Sequence, residues 1–142
     1  MMTGHCLCGA VEVRVAEGHE TSASVCHCSY CRRWTGSAFW GFAADGKLVS
    51  SSGPVASYRS TPFSERGFCA TCGTTMFFRS ALAPGETHVA LACADGPIDR
   101  APALHVFTEA QVPWIELGDA LPRADRDHPA LVRYQAVDRA PT

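Results

Sequence analysis

The stretch GHCLCGAVEVRV, residues 4–15, sets two cysteines one residue apart directly ahead of a regular alternation of valines. Val11, Val13 and Val15 are separated by Glu12 and Arg14, the two-residue period of a strand with one buried face. Cys6 and Cys8, read in the same extended chain, send their sulfurs to one side, where both can reach a single metal ion. The segment therefore predicts a strand with a chelating pair at its head.

Further short runs rich in β-branched or aromatic residues follow at 38–42, 47–50, 55–59, 74–79, 87–93 and 104–108, most of them divided by Gly and Pro signals such as Ser51-Ser52-Gly53-Pro54. Their length and content predict a mainly β fold of antiparallel sheets, because no window sustains an apolar stripe at helical spacing. Short helical turns are expected through Arg32-Arg33-Trp34 after Cys31, and after Pro129. Neither a repeat nor a linker-like segment divides the chain, so one domain is expected over its 142 residues.

A hydrophobic share of 46% with 18% charged residues is that of an ordinary globular domain, and no apolar run reaches bilayer length. The first residues carry no basic segment followed by an apolar run, which makes the cytoplasm the expected compartment. Formal net charge is -2, and seven thiolates outweigh two dications, so metal loading makes the chain more acidic. Such a balance argues against nucleic acid as a partner.

The eight cysteines form three clusters and one singleton: Cys6 and Cys8; Cys26, Cys28 and Cys31; Cys69 and Cys72; and Cys93. In Cys69-Ala70-Thr71-Cys72-Gly73 the glycine suits a tight turn whose N–H groups face the sulfurs. Cys6, Cys8, Cys69 and Cys72 make the four thiolates of a closed tetrahedral zinc site that ties the first strand to the middle of the chain. Cys26, Cys28 and Cys31 then remain, and three protein ligands with one exchangeable position is the pattern of catalytic zinc. Disulfides are disfavoured in a reducing compartment and between residues two apart in extended chain. Tetrahedral sulfur sites also accept iron, and a second site closed by His27, Cys93 or another side chain is a competing count. Cys93, without a partner at chelating spacing, reads as a small buried hydrophobe.

GHCLCGAVEV, CHCSYCRRWTGSAF at 26–39, GFCATCGTTMFF at 67–78 and the segment from Asp95 to Pro122 together resemble the glutathione-dependent formaldehyde-activating enzyme (GFA) family. The resemblance covers residues 1–122 as one GFA-type zinc domain of the Mss4-like fold, antiparallel β-sheets with zinc-binding knuckles, and leaves 123–142 as a tail packed on or extending from it. It implies structural zinc on Cys6, Cys8, Cys69 and Cys72, and a second zinc, at which the glutathione thiol is handled, on Cys26, Cys28 and Cys31. The implied activity is that of a carbon-sulfur lyase of the S-(hydroxymethyl)glutathione synthase type, with glutathione as co-substrate and a small-molecule thiol and aldehyde adduct as partner.

On that reading Arg32 and Arg33 balance the thiolates or pair with glutathione carboxylates, against the plainer alternative of solvated arginines. Trp34, Phe39 and Trp40 are candidate walls of the site or core residues. His27 and His105 are candidate second-layer donors or general bases, or structural histidines. The alternative function is a non-catalytic module with two structural zincs that contacts another protein. A methionine sulfoxide reductase, with Cys93 as its redox cysteine, is a third.

Overall fold

Val11, Val13 and Val15 are buried as their alternation requires, and the last two lie on β2 (Glu12–Val15). This strand is the centre of a three-stranded antiparallel sheet with β1 (Met2–His5) and β5 (Val49–Ser52), in the order β1-β2-β5. The computed structural model describes residues 1–17, 23–98 and 100–134. Among these, a larger sheet contains β3 (Ala23–Cys26), β4 (Phe39–Asp45), β6 (Val55–Thr61), β7 (Ser64–Cys69) and β8 (Thr75–Ser80). It is completed by β9 (Glu86–Ala90), β10 (Pro102–Val106) and β11 (Arg123–Ala124), and its order is β11-β10-β3-β4-β9-β8-β7-β6.

The valine face of β2 shares one core with Phe42, Met76, Phe77, Val89 and Leu91 of the large sheet and its following turn. Phe42, Met76, Phe77 and Leu91 are each almost fully buried, and such side chains contribute about 1.5–3 kcal/mol apiece. That core encloses the cysteine clusters, because Cys6, Cys31 and Cys69 belong to it.

The mainly β expectation holds, with two differences. Cys6 and Cys8 do not lie in a strand: β1 ends at His5, and the pair sits in a turn between β1 and β2. Pairing is also not wholly antiparallel, since β10 runs parallel to both β3 and β11. β4 is antiparallel to both β3 and β9, so β9 and β10 share a direction and the chain between them must cross over. That crossover is held against β1 by the Gly4–Ala94 bridge and by the Asp95 N–H donating to the Thr3 carbonyl at 2.9 Å.

The helix α1 (Ser29–Thr35) starts earlier than the sequence suggested, with Cys31 inside it and Cys28 as its N-cap. The expected turn after Pro129 is a 3-10 segment, Pro129–Tyr134. Residues 123–134 thus add β11 to the sheet edge and bury Leu131 beside Val106 and Ala124. The rest of the expected tail, 135–142, lies outside the described residues.

Candidate metal centres and the cavity beside them

Two turns of similar design bring Cys6, Cys8, Cys69 and Cys72 together. The Gly9 N–H donates to the Cys6 carbonyl at 3.0 Å, and the Gly73 N–H to the Cys69 carbonyl at 2.8 Å. All four sulfurs lie within 4.8 Å of one another. Cys6 Sγ is 3.6 Å from Cys8 Sγ, and Cys8 Sγ is 3.9 Å from Cys69 Sγ. A tetrahedron with zinc–sulfur bonds of about 2.3 Å has edges of about 3.8 Å, so these two separations match such a site and the donor set suits the ion.

Thr74 joins the two turns, a role the sequence did not announce. Its hydroxyl accepts from the Leu7 N–H at 3.0 Å and stands 3.1 Å from Cys72 Sγ, to which it can donate. That hydroxyl and the Thr74 N–H hold the Cys72 thiol down to about 5. The Val11 N–H meets Cys6 Sγ at 3.2 Å. Donors of this kind stabilise thiolates and orient metal ligands.

Cys26 ends β3, Cys28 caps α1 and Cys31 occupies the first turn of that helix, so one strand-to-helix junction converges three sulfurs within 4.8 Å. The Cys31 N–H reaches Cys28 Sγ at 3.4 Å. Hydrogen bonds from the Cys26 and Cys31 thiols pull Cys28 down to about 3, while the contact with Cys28 raises Cys26 well above an ordinary thiol. One position of the trio thus readily gives up its proton, and a dication would favour releasing the others.

Among the described residues no fourth His, Cys, Asp or Glu joins this trio. The two side chains nominated to close it are engaged elsewhere. Cys93 Sγ donates to the Thr75 carbonyl at 3.4 Å, and burial pushes its thiol up to about 11. His27 turns its Nε2 to His105 Nδ1 at 2.7 Å, and His105 Nε2 meets Asp119 Oδ2 at 2.9 Å.

With Asp119 accepting, His105 carries its proton on Nε2 and accepts from His27 through Nδ1. Asp119 is also bound by Arg123 at 2.9 Å, and the His105 hydrogen bond holds its carboxyl below the usual range. Burial, then the neighbouring His105, lowers the pKa of His27. Both histidines belong to a chain that fixes the backbone between Cys26 and Cys28.

A buried cation beside the three sulfurs is Arg66, on β7. Its Nη1 lies 3.6 Å from Cys31 Sγ, its Nε donates to Ser60 Oγ at 3.2 Å, and only 6% of the residue is exposed. The guanidinium lies 4.8 Å from the Trp34 ring centre, 5.0 Å from Phe78 and 5.8 Å from Tyr30. The residue was overlooked because strand β7 was not foreseen.

A cavity of about 990 Å³ opens at the three-cysteine cluster. Cys26, Cys28, Cys31, Arg32 and Arg66 line it, together with Glu86, His88, Arg133 and Tyr134. Arg32 is part of this lining, whereas Arg33 lies outside it and reaches back to the Ser29 carbonyl at 3.5 Å. Phe39 lines the cavity from the core, Trp34 stacks on Phe39 with ring centres 5.3 Å apart, and Trp40 is half exposed at 51%. Ser29 Oγ, buried and adjacent in sequence to Cys28, has no hydrogen-bond partner among the described residues.

A mainly β sheet carrying one four-cysteine and one three-cysteine cluster, the second beside a ligand-sized cavity, defines a protein built around two metal-competent thiol centres. The chain belongs to the glutathione-dependent formaldehyde-activating enzyme family, whose pattern matches residues 1–110. An uncharacterized lyase of Schizosaccharomyces pombe is 43% identical over 76 residues, covering 53% of this chain and 55% of the yeast protein. A Halomonas elongata protein provisionally named as a glutathione-dependent formaldehyde-activating enzyme is 28% identical over 129 residues, covering 82% of this chain and 81% of its own length. A crystal structure of a Rhodobacter sphaeroides protein superposes with a TM-score of 0.57 at 24% identity, covering 87% of this chain and 100% of that one, a likeness of fold. Among the described residues no helix is long and apolar enough to cross a membrane.

Proposed function

We propose that this chain is a zinc-dependent carbon-sulfur lyase that makes and breaks adducts of glutathione, or a similar thiol, with formaldehyde or another small aldehyde. The observation that carries the reading is the convergence of three cysteines, with no fourth His, Cys, Asp or Glu among the described residues, on the wall of a cavity of about 990 Å³. Family membership and the lyase-named yeast relative support the same class of reaction.

On this reading Cys6, Cys8, Cys69 and Cys72 hold a structural zinc, and Cys26, Cys28 and Cys31 hold the second. Zinc at the second centre supplies a Lewis acid that lowers the pKa of a thiol near neutral pH. In the forward direction the thiolate sulfur forms a bond to the aldehyde carbon, and the carbonyl π pair moves to oxygen, which takes up a proton. Cleavage reverses each change. Arg66 offsets the negative charge of the cysteine sulfurs, and Arg32, on the cavity wall, is placed for a substrate carboxylate. Phe39, Phe78 and Val106 give the cavity part of its apolar lining. Residues 123–134 belong to the same unit as 1–122, and eight free cysteines suit a reducing cytoplasm.

Zinc stoichiometry combined with X-ray absorption tests the reading. Two zincs per chain, averaging fewer than four sulfurs each and gaining sulfur when glutathione is added, are the expected result. Two four-sulfur zincs indifferent to glutathione would instead establish the non-catalytic module. Cys93 is buried, bonded to Thr75 and absent from the cavity lining, so Cys93→Ser is expected to leave turnover largely intact.

A further inference from the structure

Arg66 has no carboxylate partner among the described residues, yet it is nearly buried and clamped by Ser60 Oγ and three aromatic rings. A buried cation without an anion is strongly disfavoured, and the groups within its reach that become anionic when they bind a metal are the cysteine sulfurs, Cys31 at 3.6 Å foremost. The guanidinium is therefore held at the cluster by packing that leaves it little freedom to swing away.

Three thiolates around a dication leave one net negative charge. A neutral fourth ligand keeps that charge, whereas an anionic one doubles it in a partly desolvated place. With Arg66 counted, the centre is neutral before the fourth ligand arrives and carries one negative charge after an anion binds. Electrostatics alone thus make Arg66 matter much more for an anionic ligand than for a neutral one.

We propose that Arg66 is the specificity-determining positioning residue of the three-cysteine centre, the group that allows its fourth ligand to be an anion such as a thiolate. The inference rests on the metal assignment made above. It separates Arg66 from Arg32, which lines the cavity without a recorded contact to the sulfurs.

Cobalt(II) loaded at both centres supplies a test whose readout is ligand binding and not turnover. Wild type, Arg66→Met and Arg66→Lys are titrated with azide, an anion, and with imidazole, a neutral donor, and followed by the cobalt d–d bands. Arg66→Met is expected to weaken azide binding by about tenfold or more while imidazole affinity changes by less than about twofold. Equal losses for both ligands, or no loss for azide, would overturn the inference and leave Arg66 a packing residue. Should Arg66→Met fold or load poorly, Arg66→Lys decides: it retains the charge, so azide binding within about threefold of wild type supports the inference, and a tenfold loss overturns it. Glutathione separates the two readings. A wild-type centre whose azide affinity depends on Arg66 but whose bands ignore glutathione sinks the proposed function alone. A glutathione response that survives unchanged in Arg66→Met sinks the inference alone.

Discussion

Gly53 and Gly73 both carry left-handed backbone angles, φ +91° and +77°, but for different physical reasons. A Cβ at Gly73 would meet nothing within 4 Å, so its substitution costs only the left-handed strain of an L-residue. A Cβ at Gly53 would lie 1.9 Å from the Ala10 carbonyl oxygen and 3.1 Å from the Val11 Cα, both backbone atoms that cannot swing aside. Gly73→Ala is therefore expected to cost about 1–2 kcal/mol, and Gly53→Ala about 3 kcal/mol or more, because the start of β6 must separate from the chain entering β2. Urea denaturation of the metal-loaded variants measures the difference, and equal losses would contradict it. The four-cysteine cluster depends on this same resolution of detail. Cys6 and Cys8 were readable as a chelating pair from spacing alone, but the hydroxyl of Thr74 that joins them to Cys72 was not, since a threonine after a glycine has many ordinary uses.

Strand β9 and the 3-10 segment Pro129–Tyr134 meet through titratable groups, and there packing becomes pH dependence. His88 stacks edge-on against Phe78 with ring centres 5.4 Å apart, lies 3.5 Å from Glu86 Oε2 and faces the Tyr134 hydroxyl at 3.5 Å, while Arg133 binds Glu86 at 2.9 Å. Burial lowers the His88 pKa from 6.5, and Arg133 adds to the shift while Glu86 opposes it. A folded-state pKa below the unfolded one means that, on acidification through 6.5, the unfolded chain takes up the proton first. Stability from this group is complete above 6.5 and is lost as pH falls towards the folded value. His88→Gln is expected to reduce the dependence of Tm on pH between about 5.5 and 7.5, with His27 and the depressed thiols of Cys28 and Cys72 supplying the slope that remains. An unchanged slope would show that the His88 environment is not carrying it. Valine alternation revealed β2 in the sequence, and short aromatic runs revealed β4 and β8. β7 (Ser64–Cys69) escaped because glycine, charge and serine interrupt its apolar pattern. Losing β7 also hid Arg66, so an unread strand cost the candidate site its counter-charge. The strand β10 was legible as the run at 104–108, but its parallel pairing was not, since its neighbours β3 and β11 are set by a crossover and not by local pattern.

Across the whole molecule the two cysteine clusters differ in how much chain they close, and that difference sets what metal removal does. The four-cysteine cluster joins the turn before β2 to the turn between β7 and β8, closing a loop that contains β2 to β7 and the helix α1. A cross-link over a loop of this length restrains the unfolded chain by about 4 kcal/mol in the chain-entropy picture, whereas the few residues from Cys26 to Cys31 give about 2 kcal/mol. Three sulfurs also bind an ion less tightly than four, and the cavity gives a chelator access to the smaller set. Graded chelation is therefore expected to proceed in two steps. The first removes one metal while far-ultraviolet circular dichroism and Tm change little; the second removes the other and unfolds the chain. Native mass spectrometry counts the metals, and two substitutions assign the steps. Cys28→Ser is expected to yield a folded protein with one metal and no first step, while Cys72→Ser is expected to lose structure even in excess metal. Simultaneous loss of both metals, or equal unfolding in the two variants, would mean that the clusters share the structural burden and that the three-cysteine centre is not the exchangeable one.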